Sequence, residues 1–78
     1  MDKRRLEARQ KLKEATLEEY ERAIKAAKLT PKQAEVIEYI IIKDEYEIKI
    51  SRLMHIDESV VKNLAKQAYT KLAKVLLV

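Results

Sequence analysis

Hydrophobic positions recur along this chain at helical spacing. Leu17, Tyr20, Ile24 and Ala27 fall at i, i+3, i+7 and i+10, which predicts an amphipathic helix over residues 14–28. Residues 2–13 continue it without a breaker and are rich in good helix formers. Their heptad seam reads Lys3, Leu6, Gln10 and Lys13, too polar for a coiled coil. One long helix over 2–28 is expected, basic and exposed or partner-bound over 2–13 and packed over 14–28.

Thr30-Pro31-Lys32-Gln33 marks a boundary. The Thr30 hydroxyl can cap a helix, Pro31 fits the first helical position, and Gln33 completes a capping box. The helix that follows carries Val36, Ile37, Ile40 and Ile41 on one face and should end near Ile42 or Lys43. Asp44, with Glu47 three residues on, predicts a cap for a short helix that turns Ile50, Leu53 and Met54 inward. His55 and Ile56 make a tight turn, and Asp57 caps a last helix. From Glu58 nothing breaks that helix, and Val61, Leu64, Ala65, Ala68, Leu72, Val75 and Leu76 share one face. The expected fold is all-α with four helices: the N-terminal helix, then a three-helix unit over residues 30–78 whose last helix spans 58–75. The tyrosines Tyr20, Tyr39, Tyr46 and Tyr69 are expected at the edge of the core.

Composition narrows the picture. The chain has 78 residues, enough for one small domain with a thin core. It holds no glycine, one proline and one asparagine, Asn63, so hairpin turns have almost nothing to form from. With no cysteine and a single histidine, neither a disulfide nor a zinc site is expected. No apolar run nears the roughly 20 residues that span a bilayer, and the charged N-terminus does not read as a signal peptide. A cytoplasmic, nucleoid-associated protein without a membrane partner is the expectation. The abundance of Lys, Glu and Ile suits a thermophilic source.

The net charge of +4 is unevenly spread. Residues 1–13 carry Lys3, Arg4, Arg5, Arg9, Lys11 and Lys13 against Asp2 and Glu7. Residues 58–78 carry Lys62, Lys66, Lys71 and Lys74 against Glu58, while residues 29–57 are net acidic. Basic ends around an acidic middle suit a polyanion touched at both ends.

A short helix, a turn of about three residues and a helix with a basic outer face together describe a helix-turn-helix. That geometry needs an apolar residue then a small one, supplied by Ile50-Ser51. It needs apolar Met54 before the turn, a residue tolerant of positive φ and an apolar anchor at His55-Ile56, and apolar Val61 one turn into the second helix. Residues 29–73 resemble the helix-turn-helix of sigma factor region 4 and of LuxR-type regulators. The likeness rests on Leu29-Thr30-Pro31, Gln33 and Glu35-Val36-Ile37, then on Ile50-Ser51, Met54-His55-Ile56-Asp57-Glu58-Ser59 and Val61, and finally on Ala68 and Lys71-Leu72. The spacing between scaffold helix and turn suits the sigma version better. The chain departs from the pattern where His55 replaces the usual turn glycine, where Tyr46 stands at the usual Ser or Thr cap, and at Ile48-Lys49. It has no room for the promoter-melting region of a complete sigma factor.

The resemblance implies base reading from Val60, Lys62, Asn63, Lys66 and Gln67. Asn or Gln can pair with adenine, Lys with guanine, and Val can meet a thymine methyl. Phosphate contacts are expected from Ser59, Lys49, Arg52, Thr70, Lys74, Lys3, Arg4, Arg5 and Arg9. Such modules act as dimers on half-sites about one helical turn apart. Leu6, Leu12, Leu17 and Ile24, or the C-terminal Leu77 and Val78, are the candidate dimer surfaces. The expected function is a double-stranded-DNA-binding transcriptional regulator, of repressor or copy-control type in a plasmid or virus. One alternative is a partner of RNA polymerase acting through Glu35, Glu38, Asp44, Glu45 and Glu47. Another is an oligomeric packaging or partition protein. Ser51 and Ser59 have no histidine but His55 to serve as a base, and the carboxylates near 44–47 suit helix caps. No catalytic role and no cofactor are expected.

Overall fold

The computed structural model describes residues 3–77. They form five helices and no strand: α1 Lys3–Glu14, α2 Leu17–Ala27, α3 Pro31–Ile41, α4 Glu47–Met54 and α5 Glu58–Leu76. Asp2 and Val78, assigned above to the first helix and to a dimer surface, lie outside the described residues.

The fifth helix arises because 2–28 is not continuous. Thr16 leaves helical geometry at φ −69°, ψ 163°. Its hydroxyl accepts from the Glu19 backbone N–H at 3.1 Å, and its own N–H donates to the Glu19 carboxylate at 2.9 Å. This is a complete capping box, so Thr16 starts a new helix although no breaker precedes it. The Thr16 backbone N–H first, and its side chain second, hold the Glu19 carboxyl below the usual glutamate range.

The break lets α1 fold back along α5. Ala8 and Leu12 become fully buried, so the first helix is core rather than an exposed arm. The half-buried Arg5 and Arg9 flank that face, where aliphatic stems can cover apolar surface. This corrects two expectations. Residues 3–13 pack, and Leu12, at 1% exposure, has no side-chain surface left to offer a dimer partner. On α2 the buried residues are Tyr20, Ala23 and Ala27, with Ile24 half-buried. Leu17, in the first turn, stands 64% exposed and is not part of the packed stripe.

Thr30 caps α3 as its sequence predicts. Its hydroxyl accepts from Gln33 N–H at 3.3 Å, and Thr30 N–H donates to Gln33 Oε1 at 3.1 Å. Val36 and Ile37 are buried, and Ile40 and Ile41 pack against the core edge. Asp44 does not cap α4. It sits at φ 54° beyond the end of α3, while Glu45 N–H reaches back to the Tyr39 carbonyl at 2.9 Å. Asp tolerates this left-handed geometry better than most residues, so it serves the preceding helix's exit. The N-cap of α4 is Tyr46, which makes no side-chain cap bond and is 84% exposed, not at the core edge. In α4 only Ile50 is buried; Met54 is half-buried and Leu53 points outward.

α5 is the axis. Its 19 residues extend about 28 Å at 1.5 Å per residue, against a longest molecular dimension of 33 Å. It packs on each of the other four helices. Val61, Ala65, Ala68 and Leu72 are buried as the spacing predicts, Leu64 and Leu76 are half-buried, and Val75 is exposed. Tyr69 and Ala73 are buried as well. The many alanines at these contacts let helices approach closely, which suits a core this small.

Candidate nucleic-acid interface

The α4–α5 junction is built from three residues, His55, Ile56 and Asp57. His55 closes α4 in the left-handed region at φ 57°, ψ 45°. The Ser51 carbonyl accepts from His55 N–H and also from Ile56 N–H at 3.1 Å, which closes the last turn of α4. Ile50 before the turn and Val61 after it are both fully buried, which pins the start of α5 against the core. Asp57 is the N-cap of α5, but only its carbonyl takes part, accepting from Val60 and Val61 N–H at 3.0 and 3.1 Å. Its carboxylate makes no cap bond. The positive end of the longest helix dipole in the molecule therefore opens onto a shallow cleft of about 670 Å³, lined by Arg52, His55 and Val60 among others.

Of the residues expected to read bases, Val60, Lys62, Asn63 and Lys66 stand exposed on the first half of α5. They lie opposite buried Val61, Ala65 and Ala68. Lys62 Nζ lies 3.9 Å from Glu47 Oε2 on α4, a loose and solvent-exposed pair. Gln67 is exposed too, yet its Oε1 already accepts from Gln33 Nε2 at 3.0 Å. It is held toward α3.

The expected phosphate contacts fall into separate places. Ser59 and Arg52 are exposed beside the start of α5. Lys49 is engaged by Glu45 at 3.3 Å. Arg4, Arg5, Thr70 and Lys74 line a small cleft of about 170 Å³ between α1 and the far half of α5. The Thr70 hydroxyl donates to the Lys66 carbonyl at 2.9 Å. Lys3 is exposed near the start of α1. Arg9 differs from the rest, because it is half-buried and faces Tyr69 and the α3–α4 connection in another cavity. Among the candidate dimer residues, Leu6 and Leu17 are exposed, while Ile24 and Leu77 are half-buried against the core.

Gln33 is the positioning residue that sequence reasoning passed over. It is buried, accepts from Thr30 N–H and from Lys71 Nζ at 2.9 Å, and donates to Gln67. One amide thus fixes the start of α3 and two side chains of α5. Its place in the capping box was visible in the sequence. Its second role was hidden, because that depends on how α3 crosses α5.

Among the described residues no helix is long and apolar enough to cross a membrane, and no group of His, Cys, Asp or Glu side chains could hold a metal ion. No family model, characterised protein or solved structure matches this chain.

Proposed function

We propose that this protein is a double-stranded-DNA-binding transcriptional regulator whose α5 enters the major groove. One observation carries the reading. Val60, Lys62, Asn63 and Lys66 stand free of the core on a helix start that a three-residue turn and two buried side chains hold rigid. An α-helix fits the roughly 12 Å major groove, and Lys and Asn present the donors and acceptors that distinguish guanine and adenine edges. Arg52, Ser59 and the helix N-terminus meet the flanking phosphates. The Arg4, Arg5 and Lys74 cleft supplies a second basic contact further along the same helix. The resemblance to sigma region 4 and LuxR-type regulators supports the same orientation. The protein binds as a dimer on two half-sites and carries out no catalysis. Leu6 and Leu17 remain available for the dimer contact.

The test is duplex binding across a salt series, with the wild type beside a Lys62→Ala, Asn63→Ala, Lys66→Ala variant. Random duplex and the gene's own upstream DNA serve as targets. Tight upstream binding should weaken by roughly a hundredfold or more in the variant, since three base contacts are lost at about 1–3 kcal/mol each. The slope of log affinity against log salt should stay nearly unchanged, because Lys62 and Lys66 are assigned to bases and the phosphate contacts remain. Equal binding by variant and wild type refutes the reading. Polymerase capture with no duplex affinity would move the function to the acidic surface of Glu35, Glu38, Asp44, Glu45 and Glu47.

A further inference from the structure

One side chain of the candidate interface is oriented from outside α5. Gln67 stands one turn beyond Asn63, and both are exposed, so they follow one line along the helix surface. Yet the Gln67 amide is tied to buried Gln33 of α3. The other partners of Gln33 decide which end of each amide meets the other. The Thr30 backbone N–H lies 3.1 Å, and Lys71 Nζ 2.9 Å, from the same atom of Gln33. Both groups can only donate, so that atom is the amide oxygen. The opposite end of Gln33 is then its NH2 group, which can only donate in turn. The Gln67 atom 3.0 Å from it is therefore an acceptor, its Oε1.

This chain of donors has a fixed direction. It starts from a backbone N–H, and Gln33 cannot turn over without breaking the capping box of α3. The consequence for Gln67 is polarity. A glutamine that reads adenine turns both its oxygen and its nitrogen to one base edge, accepting from N6 and donating to N7. Gln67 has its oxygen turned to α3, which leaves Nε2 as the end that meets a base. In the major groove guanine and thymine present keto oxygens, where adenine and cytosine present amino groups. An N–H donor pairs with a keto oxygen and opposes an amino group.

We propose that Gln33 determines base specificity without touching DNA, by setting Gln67 to prefer a keto base, guanine or thymine, at one position of the bound site. This rests on the DNA-binding reading. One substitution inverts the arrangement. Gln33→Glu keeps the oxygen that Thr30 and Lys71 use and replaces the NH2 group by a second acceptor. Gln67 then turns its Nε2 inward and its Oε1 outward, and the preferred base becomes an amino base, adenine or cytosine. The fold accommodates the change. Thr16 and Glu19 already form the same box with a glutamate in this chain, and Lys71 stands ready to pair with the new charge.

The experiment selects bound duplexes from a random-sequence library with the full chain and sequences them, in parallel for the wild type, Gln67→Ala and Gln33→Glu. Urea midpoints confirm that both variants are folded. Gln67→Ala should level the base preference at one position, which identifies the base pair that Gln67 meets. On the strand it meets, the wild type should favour guanine or thymine there by about five- to tenfold, the effect of one hydrogen bond made or lost. Gln33→Glu should favour adenine or cytosine by a similar factor, with preferences elsewhere in the site unchanged. A preference that is unchanged or merely lost in Gln33→Glu overturns the proposal. So does a Gln67→Ala variant that matches the wild type at every position. A role of Gln33 in folding alone would weaken enrichment evenly along the site without exchanging one base class for the other, and that result overturns the proposal too. Enrichment of no sequence by the wild type removes the DNA reading and this inference with it, whereas normal enrichment with any of the three contrary results removes this inference alone.

Discussion

Leu12→Ala tests whether the first helix is core or an arm awaiting a partner. Leu12 is 1% exposed in the contact between α1 and α5. Truncation to alanine removes three carbons from the interior, about 2.4 kcal/mol at 0.8 kcal/mol per methylene. A cavity term of about 24 cal/mol per Å³ adds to this, so about 3 kcal/mol is expected. A chain of 78 residues has a total stability of roughly 4–12 kcal/mol. The substitution therefore removes a large fraction of it and lowers Tm by about 12–24 °C. Urea denaturation followed by far-UV circular dichroism, at two protein concentrations tenfold apart, measures it. The loss should be the same at both concentrations, because the contact is within one chain. A loss below about 0.5 kcal/mol would mean that α1 does not dock. A loss that shrinks as concentration rises would place Leu12 between subunits and refute the fold-back.

Two further outcomes follow from named groups. His55→Gly should raise the urea midpoint, by about 1 kcal/mol in stability, because glycine takes φ 57° without the Cβ clash and gives back only part of that in unfolded-chain entropy; a lower midpoint would show that the imidazole itself stabilises the turn. Tyr20 and Tyr69 are both pushed up to about 12 by burial, with Glu38 adding to Tyr20. The unfolded chain loses these protons near pH 10 while the folded chain holds them, so their stabilisation is complete below pH 10 and is lost as pH rises toward 12. The contribution is on the order of 2–3 kcal/mol each. A Tyr20→Phe, Tyr69→Phe double variant should show a shallower alkaline fall in the urea midpoint, and an unchanged fall would refute the assignment.

Legibility varied with how local the determining physics was. Thr30, Pro31 and Gln33 announced α3, because a capping box and an N1 proline act within four residues. The turn at His55 and the buried face of Val61, Ala65, Ala68 and Leu72 were legible for the same reason. Thr16 carried an equally good Thr-x-x-Glu signal at Glu19, but strong helix formers on both sides masked it, and one helix was expected where two form. Asp44 was misplaced because aspartate suits both a cap and a left-handed exit, and only the Glu45 N–H to Tyr39 carbonyl bond decides between them. α1 looked too polar to pack because the register carried back from α2 put Lys3, Gln10 and Lys13 on its seam, whereas the break at Thr16 frees α1 to bury a different face, that of Ala8 and Leu12. In the candidate interface, the exposure of Lys62, Asn63 and Lys66 followed from the helical wheel. The diversion of Gln67 to Gln33, of Lys49 to Glu45 and of Arg9 into the cavity did not, because each depends on contacts between elements.

The packing of every helix on α5 also sets an order on synthesis. The four helices that precede it emerge from the ribosome with their inward residues, Leu12, Ile37 and Ile50 among them, facing no finished partner. At roughly 5–20 residues per second, the 19 residues of α5 take about one to four seconds to make. Through that interval the first four segments, each of 12 residues or fewer, are too short to hold as helices without the core that α5 completes. Closure then joins α1 to α5 across the three intervening helices, so folding comes as a single late event, and a fragment ending before α5 keeps little beyond the slight contact of α1 with α3.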